Sequence, residues 1–524
     1  MPRHSALYLL LLTIPLFAQN SSANRRPAQA AIDLIQSADL KADISFLASE
    51  DLAGRNAGSR EDHIATDYIA SEFMRLGLKP MGDEGTYFQN MELNTANVDS
   101  EHTTLTATIN GTEHRYALNH GFQWARQSLH PAQACGEVVF AGFGISAPEY
   151  AYDDLAGVDL KGKVALVVLR EPQANDPASK FMGTLDVAGV LVVQDRVPRD
   201  VKLIPASSPR PTGGPSFALA GEMWDVPVFM IKRDLADQFL QPSGKTTDAL
   251  QSEIDRSLQP HSFLIAQSSA CLTKSLKEIE THKGRNVIAL IEGSDSKLKA
   301  QTIIVTAHHD HMGAANGHIY YGADDNASGV AGMLGVARAL VKGNVRPKRS
   351  ILFIAYDGEE RIFLGSYFYV THPVVPLSQT VATLNLDMIG RDEDDPNWPT
   401  PADRNVNMVN VLGTRYNPAL RKIIDSENKS EGLKLDYKMD RVDPDSLWSR
   451  SDHFWFATLH IPQVEFQTGL HHDYHTENDT WQRINYPKLT KITRLVFRSV
   501  VDLANSGEAI PFVAAGSPVV PGQQ

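Results

Sequence analysis

The sequence predicts an α/β protein in which a mostly parallel central sheet, flanked by helices, carries an inserted small β-rich domain. Three observations predict this fold class. Strand-like and helix-like runs alternate from about residue 286 to 505, which is typical of parallel strands covered on both faces. Residues 97–283 instead contain short β-like runs separated by proline and glycine turns. Histidines and carboxylates recur at the ends of the predicted strands in residues 286–505, which is where open α/β sheets place their binding sites.

Length and composition limit the functional classes. The 524 residues are enough for about two to four domains. A content of 42% hydrophobic and 21% charged residues is typical of a globular protein with an ample core. The net charge is −13 and no basic run stands out, so neither nucleic acid nor an anionic membrane surface is an expected partner.

The N-terminus predicts a secretory signal peptide over residues 1–23. A positively charged start precedes an apolar run from Leu7 to Ala18, which is shorter than the roughly 20 residues that a spanning helix needs. Cleavage is expected after Ala18 or Ala23, and an uncleaved anchor helix is the alternative. We therefore expect a secreted or periplasmic protein with no stable membrane insertion after cleavage.

Residues 24–96 are predicted to form the N-terminal part of the main domain. A linker leads to a weakly helical stretch from Ile32 to Ala48. A clearer helix begins at Ser59 and ends at Gly77. Its apolar face is formed by Ile64, Tyr68, Phe73 and Leu76.

Residues 97–283 are predicted to be the inserted domain. Its β-like runs are Val138 to Phe140, Val164 to Leu169 and Val190 to Val193. Its carboxylates are scattered and form no cluster of metal ligands. Cys135 and Cys271 are the two cysteines of the chain, and their number alone leaves open whether they pair.

Residues 284–507 are predicted to form the main part of the domain, followed by a loose tail over 508–524. The predicted strands are Val287 to Ile291, Ile303 to Ala307, Ile351 to Tyr356, Val381 to Leu386, Val406 to Leu412 and Gln463 to Phe466. The predicted helices are Ala331 to Val341, Leu364 to Val370, Pro418 to Asn428 and Tyr486 to Ala504. Ser328 is the predicted N-cap of the first of these helices.

The ends of these strands collect potential metal ligands, most densely at Thr306 to His311 and in the loop Gly322 to Gly329. Side chains at one edge of a parallel sheet can converge although they are distant in sequence. The candidates are His308, Asp310, Asp325, Asp357, Glu359, Glu360, Asp387 and His475. Clustered carboxylates without lysine or arginine raise one another's pKa, and a divalent cation relieves this repulsion. Two histidines with carboxylates and no cysteine favour catalytic zinc, and the excess of ligands favours two metals roughly 3.5–4 Å apart.

Five motifs carry a resemblance to a known family. They are His308-x-Asp310, Gly322 to Gly329, Glu359-Glu360, Asn385 to Gly390 and Tyr474-His475, and they stand in the family's order. On these motifs the sequence resembles the co-catalytic zinc peptidases, which include secreted bacterial aminopeptidases and glutamate carboxypeptidases. The resemblance covers most of Ile32 to Asn505 and implies the zinc-peptidase fold. The insertion, with its segments Gly142 to Ile145 and Asp159 to Val164, resembles a protease-associated domain.

The resemblance implies two Zn²⁺ per chain and a role for each matching residue. The implied metal ligands are His308 and Asp387 for one ion, Glu360 and His475 for the other, and Asp325 between them. Glu359 would be the general base. Asp310 would orient the His308 ring, and Tyr474 would stabilise the developing oxyanion.

Simpler structural interpretations remain as alternatives to these assignments. The histidines expected to be polar lining rather than ligands are His309, His311, His471 and His472. Asp324 could replace Asp325 as the bridge, and Asp357 is expected to be structural. Glu359 and Glu360 could cap the helix that follows them. Tyr474 could serve only in packing.

The leading hypothesis is an exported metallo-exopeptidase in which a metal-bridged hydroxide attacks the peptide carbonyl with Glu359 as general base. We expect an aminopeptidase acting on peptides or proteins with a free N-terminus. A carboxypeptidase or dipeptidase on the same scaffold is the main alternative, for which Arg441 or Arg450 would bind the C-terminal carboxylate. A glutaminyl cyclase and a non-catalytic binding protein are the further alternatives.

Overall fold

The computed structural model describes residues 30–124, 129, 131–147, 152–168, 187–193, 216–219, 226–257, 259–394, 405–440 and 447–513. The predicted signal peptide and the end of the predicted tail lie outside these residues. The α-helices in the described part are α1 (Ser37–Leu47), α2 (Arg60–Arg75), α3 (Arg233–Leu240), α4 (Thr247–Ser257), α5 (Gly329–Lys342), α6 (Leu364–Thr371), α7 (Pro418–Glu431), α8 (His453–Thr458) and α9 (Tyr486–Asn505). None of the helices in these ranges has both the length and the apolarity needed to cross a membrane.

The strands of the described ranges form two large sheets and two small hairpin-like pairs. They are β1 (Lys79–Pro80), β2 (Phe88–Val98), β3 (Thr104–Ile109), β4 (Thr112–Ala117), β5 (Phe122–Trp124), β6 (Ala132–Phe140), β7 (Ser146–Ala147), β8 (Tyr152–Asp153), β9 (Val164–Val168), β10 (Gly189–Val193), β11 (Ser216–Leu219), β12 (Val228–Ile231), β13 (Phe263–Lys274), β14 (Leu276–Ile291), β15 (Thr302–His308), β16 (Gly313–Ala315), β17 (His318–Tyr320), β18 (Ser350–Tyr356), β19 (Thr380–Leu386), β20 (Met408–Leu412), β21 (Lys434–Asp436) and β22 (Gln463–Gln467).

The larger sheet has the order β11-β2-β14-β18-β15-β19-β22-β20-β21, with β1 paired to β14. Its four central strands, β18, β15, β19 and β22, are parallel. On either side, β14 and β20 pair antiparallel with this central group. The strands β15, β18 and β22 are buried along their whole length, as expected of runs of β-branched and apolar residues in the middle of a sheet.

Helices cover both faces of this sheet, so successive residues of a central strand enter different cores. Ile303 and Val305 of β15 pack in a core with residues of α5 and α9. Ile304, between them, packs on the other face with Tyr369 of α6 and Phe456 of α8. The α/β fold class is therefore as predicted.

The second sheet has the order β4-β3-β13-β6-β9-β10-β12-β5, and helices α3 and α4 pack on it. A disulfide joins Cys135 to Cys271, which oppose each other on β6 and β13. The predicted limits of the insertion, residues 97 and 283, lie within β2 and β14, long strands of the larger sheet. β11, from inside the predicted insertion, also pairs with β2. The protease-associated assignment stays a prediction.

Ser328 is the N-cap residue of α5, as predicted, but its side chain makes no capping hydrogen bond. Its hydroxyl donates to the carbonyl of Asp324 at 2.7 Å and accepts the N–H of Ile389 at 3.0 Å. Asn326 Oδ1 accepts the N–H of Gly329 at 2.9 Å instead. Ser328 thus ties the loop to the segment after β19 rather than satisfying the helix terminus.

Candidate metal centre

The four parallel strands deliver the candidate residues to one edge of the larger sheet. β15 ends at His308, Glu359 and Glu360 follow β18, Asp387 follows β19, and His475 lies in the loop after β22. Because these strands are parallel neighbours, their carboxyl ends are adjacent. The convergence that the sequence predicts therefore follows from the strand order.

One group of ligand atoms comes from His308, Asp325 and Asp387. His308 Nε2 lies 3.3 Å from Asp325 Oδ1 and 3.4 Å from Asp387 Oδ1. A tetrahedral ion with bonds of about 2.0–2.1 Å needs its ligand atoms about this far apart. The geometry of this group fits the first of the two predicted ions.

A second group shares Asp325. Asp325 Oδ2 lies 3.0 Å from His475 Nε2, which is 3.1 Å from Glu360 Oε2. Because Asp325 turns Oδ1 to the first group and Oδ2 to the second, one carboxylate belongs to both ligand groups.

The loop that carries Asp325 is held by buried carboxylates. Asp479 accepts the N–H of Asp325 at 3.1 Å, and it also accepts the N–H of Asp324. Asp324 faces away from the two groups, since its Oδ1 accepts the N–H of Gly390 at 2.6 Å and its Oδ2 lies 3.3 Å from His471 Nε2. The geometry therefore favours Asp325 over Asp324 as the bridge.

Asp310 acts on the site through two different groups. Its carboxylate accepts the N–H of Glu359 at 3.0 Å and that of Glu360 at 3.3 Å. His308 Nδ1 lies 3.2 Å from the Asp310 backbone carbonyl and 3.6 Å from Oδ1. The ring of His308 is thus oriented mainly by the backbone, while the carboxylate fixes the turn of the two glutamates.

Glu359 and Tyr474 line the same cavity as the ligand groups. Glu359 Oε2 is 3.8 Å from His308 Nε2, and burial raises the pKa of the Glu359 carboxyl well above its usual value. The Tyr474 ring stacks on His475 with centroids 3.8 Å apart, and its hydroxyl accepts a hydrogen bond from Arg450 at 3.1 Å. Tyr474 therefore contacts a ligand residue and also faces the cavity.

The electrostatics of the cluster fit divalent cations. Burial lowers the pKa of His475, but Glu360 and Asp325 outweigh it and raise the pKa to about 10. Carboxylates that hold an imidazole so strongly in its charged form provide the charge and the donor atoms that zinc requires. His308 Nε2, His475 Nε2 and Asp387 Oδ1 are buried and make no hydrogen bond of acceptable geometry within the described ranges. The residues present therefore fit the implied metal.

His309 and His472 belong to neither of these two ligand groups. His309 Nδ1 lies 2.8 Å from Asp62 Oδ1 and its Nε2 lies 3.2 Å from the Arg285 carbonyl, so both ring nitrogens are engaged. Asp357 accepts the N–H of Arg285 beside it, which agrees with a structural role. His472 is exposed and pairs with a carboxylate of the surface.

His311 is the histidine whose position the sequence does not predict. It is fully buried, and its Nδ1 lies 2.7 Å from Glu360 Oε1 and 3.8 Å from Asp325 Oδ2. The expected lining residue therefore lies beside the second ligand group, close enough to be counted among its possible ligands. No periodicity could have revealed this, because the chain leaves β15 at His308 and turns under contacts from distant residues.

A cavity of about 200 Å³ opens beside the two ligand groups. Its apolar wall consists of Ile362, Phe363, Met388, Leu447 and Leu470, and its polar wall includes Arg450, Gln467 and Tyr474. Ile362 and Phe363 adopt φ of +75° and +55°, a left-handed conformation that is unfavourable for side chains of this size. Strain of this kind clusters where a binding surface must be shaped.

Comparison with known proteins gives a family match over the region that carries this site. Residues 286–500 match the model of Peptidase family M28. The chain is similar to Uncharacterized protein YfbL of Escherichia coli strain K12, with 29% identity over 260 residues, 46% of this chain and 77% of that protein. It is also similar to Aminopeptidase YwaD of Bacillus subtilis strain 168, with 28% identity over 242 residues, 44% of this chain and 47% of that protein.

Leucine aminopeptidase 2 of Trichophyton equinum is 26% identical over 271 residues, 47% of this chain and 50% of that protein. The match thus spans about half the length of the two named aminopeptidases. Among solved structures, the aminopeptidase from Aneurinibacillus sp. strain AM-1 aligns over 94% of this chain and 98% of its own, with 20% identity and a TM-score of 0.49.

Proposed function

We propose that the chain, whose residues 286–500 match the model of Peptidase family M28, is an aminopeptidase that uses two zinc ions to release N-terminal residues. The shared carboxylate carries the proposal, because Asp325 presents one oxygen to the His308 group and the other to the His475 group. Glu359 stands beside both groups in the same cavity. The names of two similar proteins, which are called aminopeptidases, support the same activity.

Zinc ions bound by these groups would polarise the scissile carbonyl and acidify the attacking water. Glu359 takes the water proton at its carboxylate and passes it to the departing amine. Asp310 keeps this carboxylate in place by accepting the N–H of Glu359. Because Arg450 donates to the Tyr474 oxygen, the phenol proton remains available to donate to the developing oxyanion.

We propose that the N-terminal residue of the substrate has an apolar side chain. Its amine would interact with the carboxylates of the site, and its side chain would lie on the apolar wall formed by Ile362, Phe363, Met388, Leu447 and Leu470. One similar protein is named a leucine aminopeptidase, which supports this choice.

Export is part of the proposal. The predicted signal peptide supports it, and so does the disulfide between Cys135 and Cys271, because disulfides persist in oxidising compartments. The location would be the periplasm or the exterior of the cell.

One observation favours a second candidate, a dipeptidase or carboxypeptidase. Arg450 lines the cavity and could bind a C-terminal carboxylate as well as the Tyr474 hydroxyl. Arg441, the other arginine considered for this role, lies outside the described residues.

A small substrate panel distinguishes the candidates. We expect leucine p-nitroanilide to be cleaved with a kcat/KM about 10–100-fold above that of N-acetyl-leucine p-nitroanilide, because a hydrogen bond to a charged group contributes about 1.5–3 kcal/mol. Aspartyl p-nitroanilide, whose side chain does not fit an apolar wall, is expected to be slower than the leucyl compound. The zinc-stripped protein is the control and should cleave none of them.

Leucyl-leucine and its C-terminal amide complete the panel. We expect similar kcat/KM for both, because the proposed enzyme recognises the N-terminus. Equal cleavage of free and acetylated substrates would contradict the aminopeptidase, and a strict requirement for the free C-terminal carboxylate would establish the second candidate instead.

A further inference from the structure

We propose that His311 is a positioning residue for the second zinc ion, which acts by holding Glu360 so that only Oε2 faces the ion. The inference rests on the proposed two-zinc function and deepens it. It concerns a histidine that the sequence assigns to the lining of the site. The hydrogen bond from His311 Nδ1 to Glu360 Oε1, 2.7 Å long, is the contact that carries the inference.

The distances distinguish a hydrogen bond from the spacing between two atoms that bind the same ion. His475 Nε2 lies 3.0 Å from Asp325 Oδ2 and 3.1 Å from Glu360 Oε2. In the first group, His308 Nε2 lies 3.3 Å from Asp325 Oδ1 and 3.4 Å from Asp387 Oδ1. His311 is closer to Glu360 than any of these pairs, and it contacts the other oxygen of that carboxylate, Oε1. A spacing of 2.7 Å is that of a charge-assisted N–H···O bond. His311 would therefore contact the ligand Glu360 rather than the ion.

The proton position on the ring agrees with this reading. His311 Nε2 is buried and has no hydrogen-bond partner within the described residues, so a proton there would have no acceptor. With the ring proton on Nδ1, the 2.7 Å contact is a hydrogen bond that Glu360 Oε1 accepts.

The His311 ring is seated in a rigid frame. Its backbone N–H donates to the carbonyl of Arg55 at 2.9 Å, and the buried Arg55 guanidinium in turn donates to the carbonyls of His309, Tyr321 and Gly322. A Cβ on Gly322 would come within 2.5 Å of His311 Cγ. Glycine at 322 therefore makes the space that the imidazole occupies, and Arg55 fixes both segments that border it.

This arrangement gives Glu360 one available oxygen. Oε1 is engaged by His311, and Oε2 lies 3.1 Å from His475 Nε2, the neighbouring ligand atom. A carboxylate restrained in this way would bind through one oxygen and would not wrap both oxygens around the ion. Loss of an outer partner of this kind lowers metal affinity about 10–100-fold.

Zinc binding to the full-length protein tests the role of His311 without any substrate. We expect wild type to bind two Zn²⁺ and His311→Ala to bind the weaker of the two about 10–100-fold less tightly, measured by competition with a fluorescent chelator. His311→Asn should keep nearly wild-type affinity, because its amide nitrogen occupies the place of Nδ1. His311→Gln, whose amide reaches toward the place of Nε2, should behave as His311→Ala.

The exposed His472 provides a matched control, and His472→Ala should bind both ions as wild type does. X-ray absorption of the zinc-loaded wild type should give two imidazoles over the two ions. Three imidazoles would make His311 a ligand and overturn the proposal, as would unchanged affinity of His311→Ala. A wild type that binds no second ion would overturn both this role and the proposed function, whereas a failure confined to the His311 variants would leave the function intact. Thermal unfolding of each variant, followed by circular dichroism, ensures that only folded protein is compared.

Discussion

The Glu359→Gln variant is expected to lose about 100- to 10,000-fold in kcat, the range that a general base contributes. The substitution keeps the shape of the side chain but removes the carboxylate that accepts the water proton. The backbone N–H of residue 359 would still donate to Asp310, so the turn should stay in place. The measurement is kcat on leucine p-nitroanilide together with the zinc content of the same sample, which should remain at two ions.

Glu360→Gln is the matched control, because it changes the neighbouring residue in the same way. Glu360 presents Oε2 to the second ligand group, so this variant should lose zinc as well as turnover. The contrast separates proton transfer from metal binding. A Glu359→Gln variant with wild-type kcat would show that another group takes the proton.

The Asp325→Asn variant is expected to lose both zinc ions together and to have no activity above that of the buffer. Its two carboxylate oxygens lie 3.3 Å from His308 Nε2 and 3.0 Å from His475 Nε2, and an amide can replace only one of them. We expect a loss of affinity beyond the roughly 100-fold that removal of an outer partner causes. Competition between the protein and a chelator for zinc measures this loss of affinity.

Asp324→Asn tests the neighbouring carboxylate and serves as the control for Asp325→Asn. Asp324 accepts the N–H of Gly390 and faces His471, away from the ligand groups. The variant should retain both ions, with any loss confined to thermal stability. If Asp324→Asn lost the ions and Asp325→Asn kept them, the bridge would have been assigned to the wrong aspartate.

Much of the fold and the general location of the site follow from the sequence. Runs such as Ile303 to Ala307 and Ile351 to Tyr356 are apolar and β-branched, and a stretch of that kind has few alternatives to a buried strand. The carboxyl ends of parallel strands share one edge, so His308, Glu360 and Asp387 could be expected to meet there. The roles of individual ligands came from the family resemblance, and they stay predictions.

Details that depend on long-range contacts could not be predicted. His311 reaches Glu360 of the second ligand group because Arg55 and Gly322, which are distant in sequence, position it. The Ser328 hydroxyl is drawn away from the helix terminus by Ile389, which follows a different strand. The predicted limits of the insertion, residues 97 and 283, lie within β2 and β14, which pair with each other in the larger sheet.

Two zinc ions that share Asp325 are the central feature of the proposed site, and diffraction from crystals of the zinc-loaded protein at the zinc absorption edge tests them most directly. We expect two anomalous peaks, each within about 2.0–2.2 Å of one Asp325 oxygen. One peak should lie beside His308 and Asp387, and the other beside Glu360 and His475. A single peak, or zinc bound away from Asp325, would contradict the two-ion site.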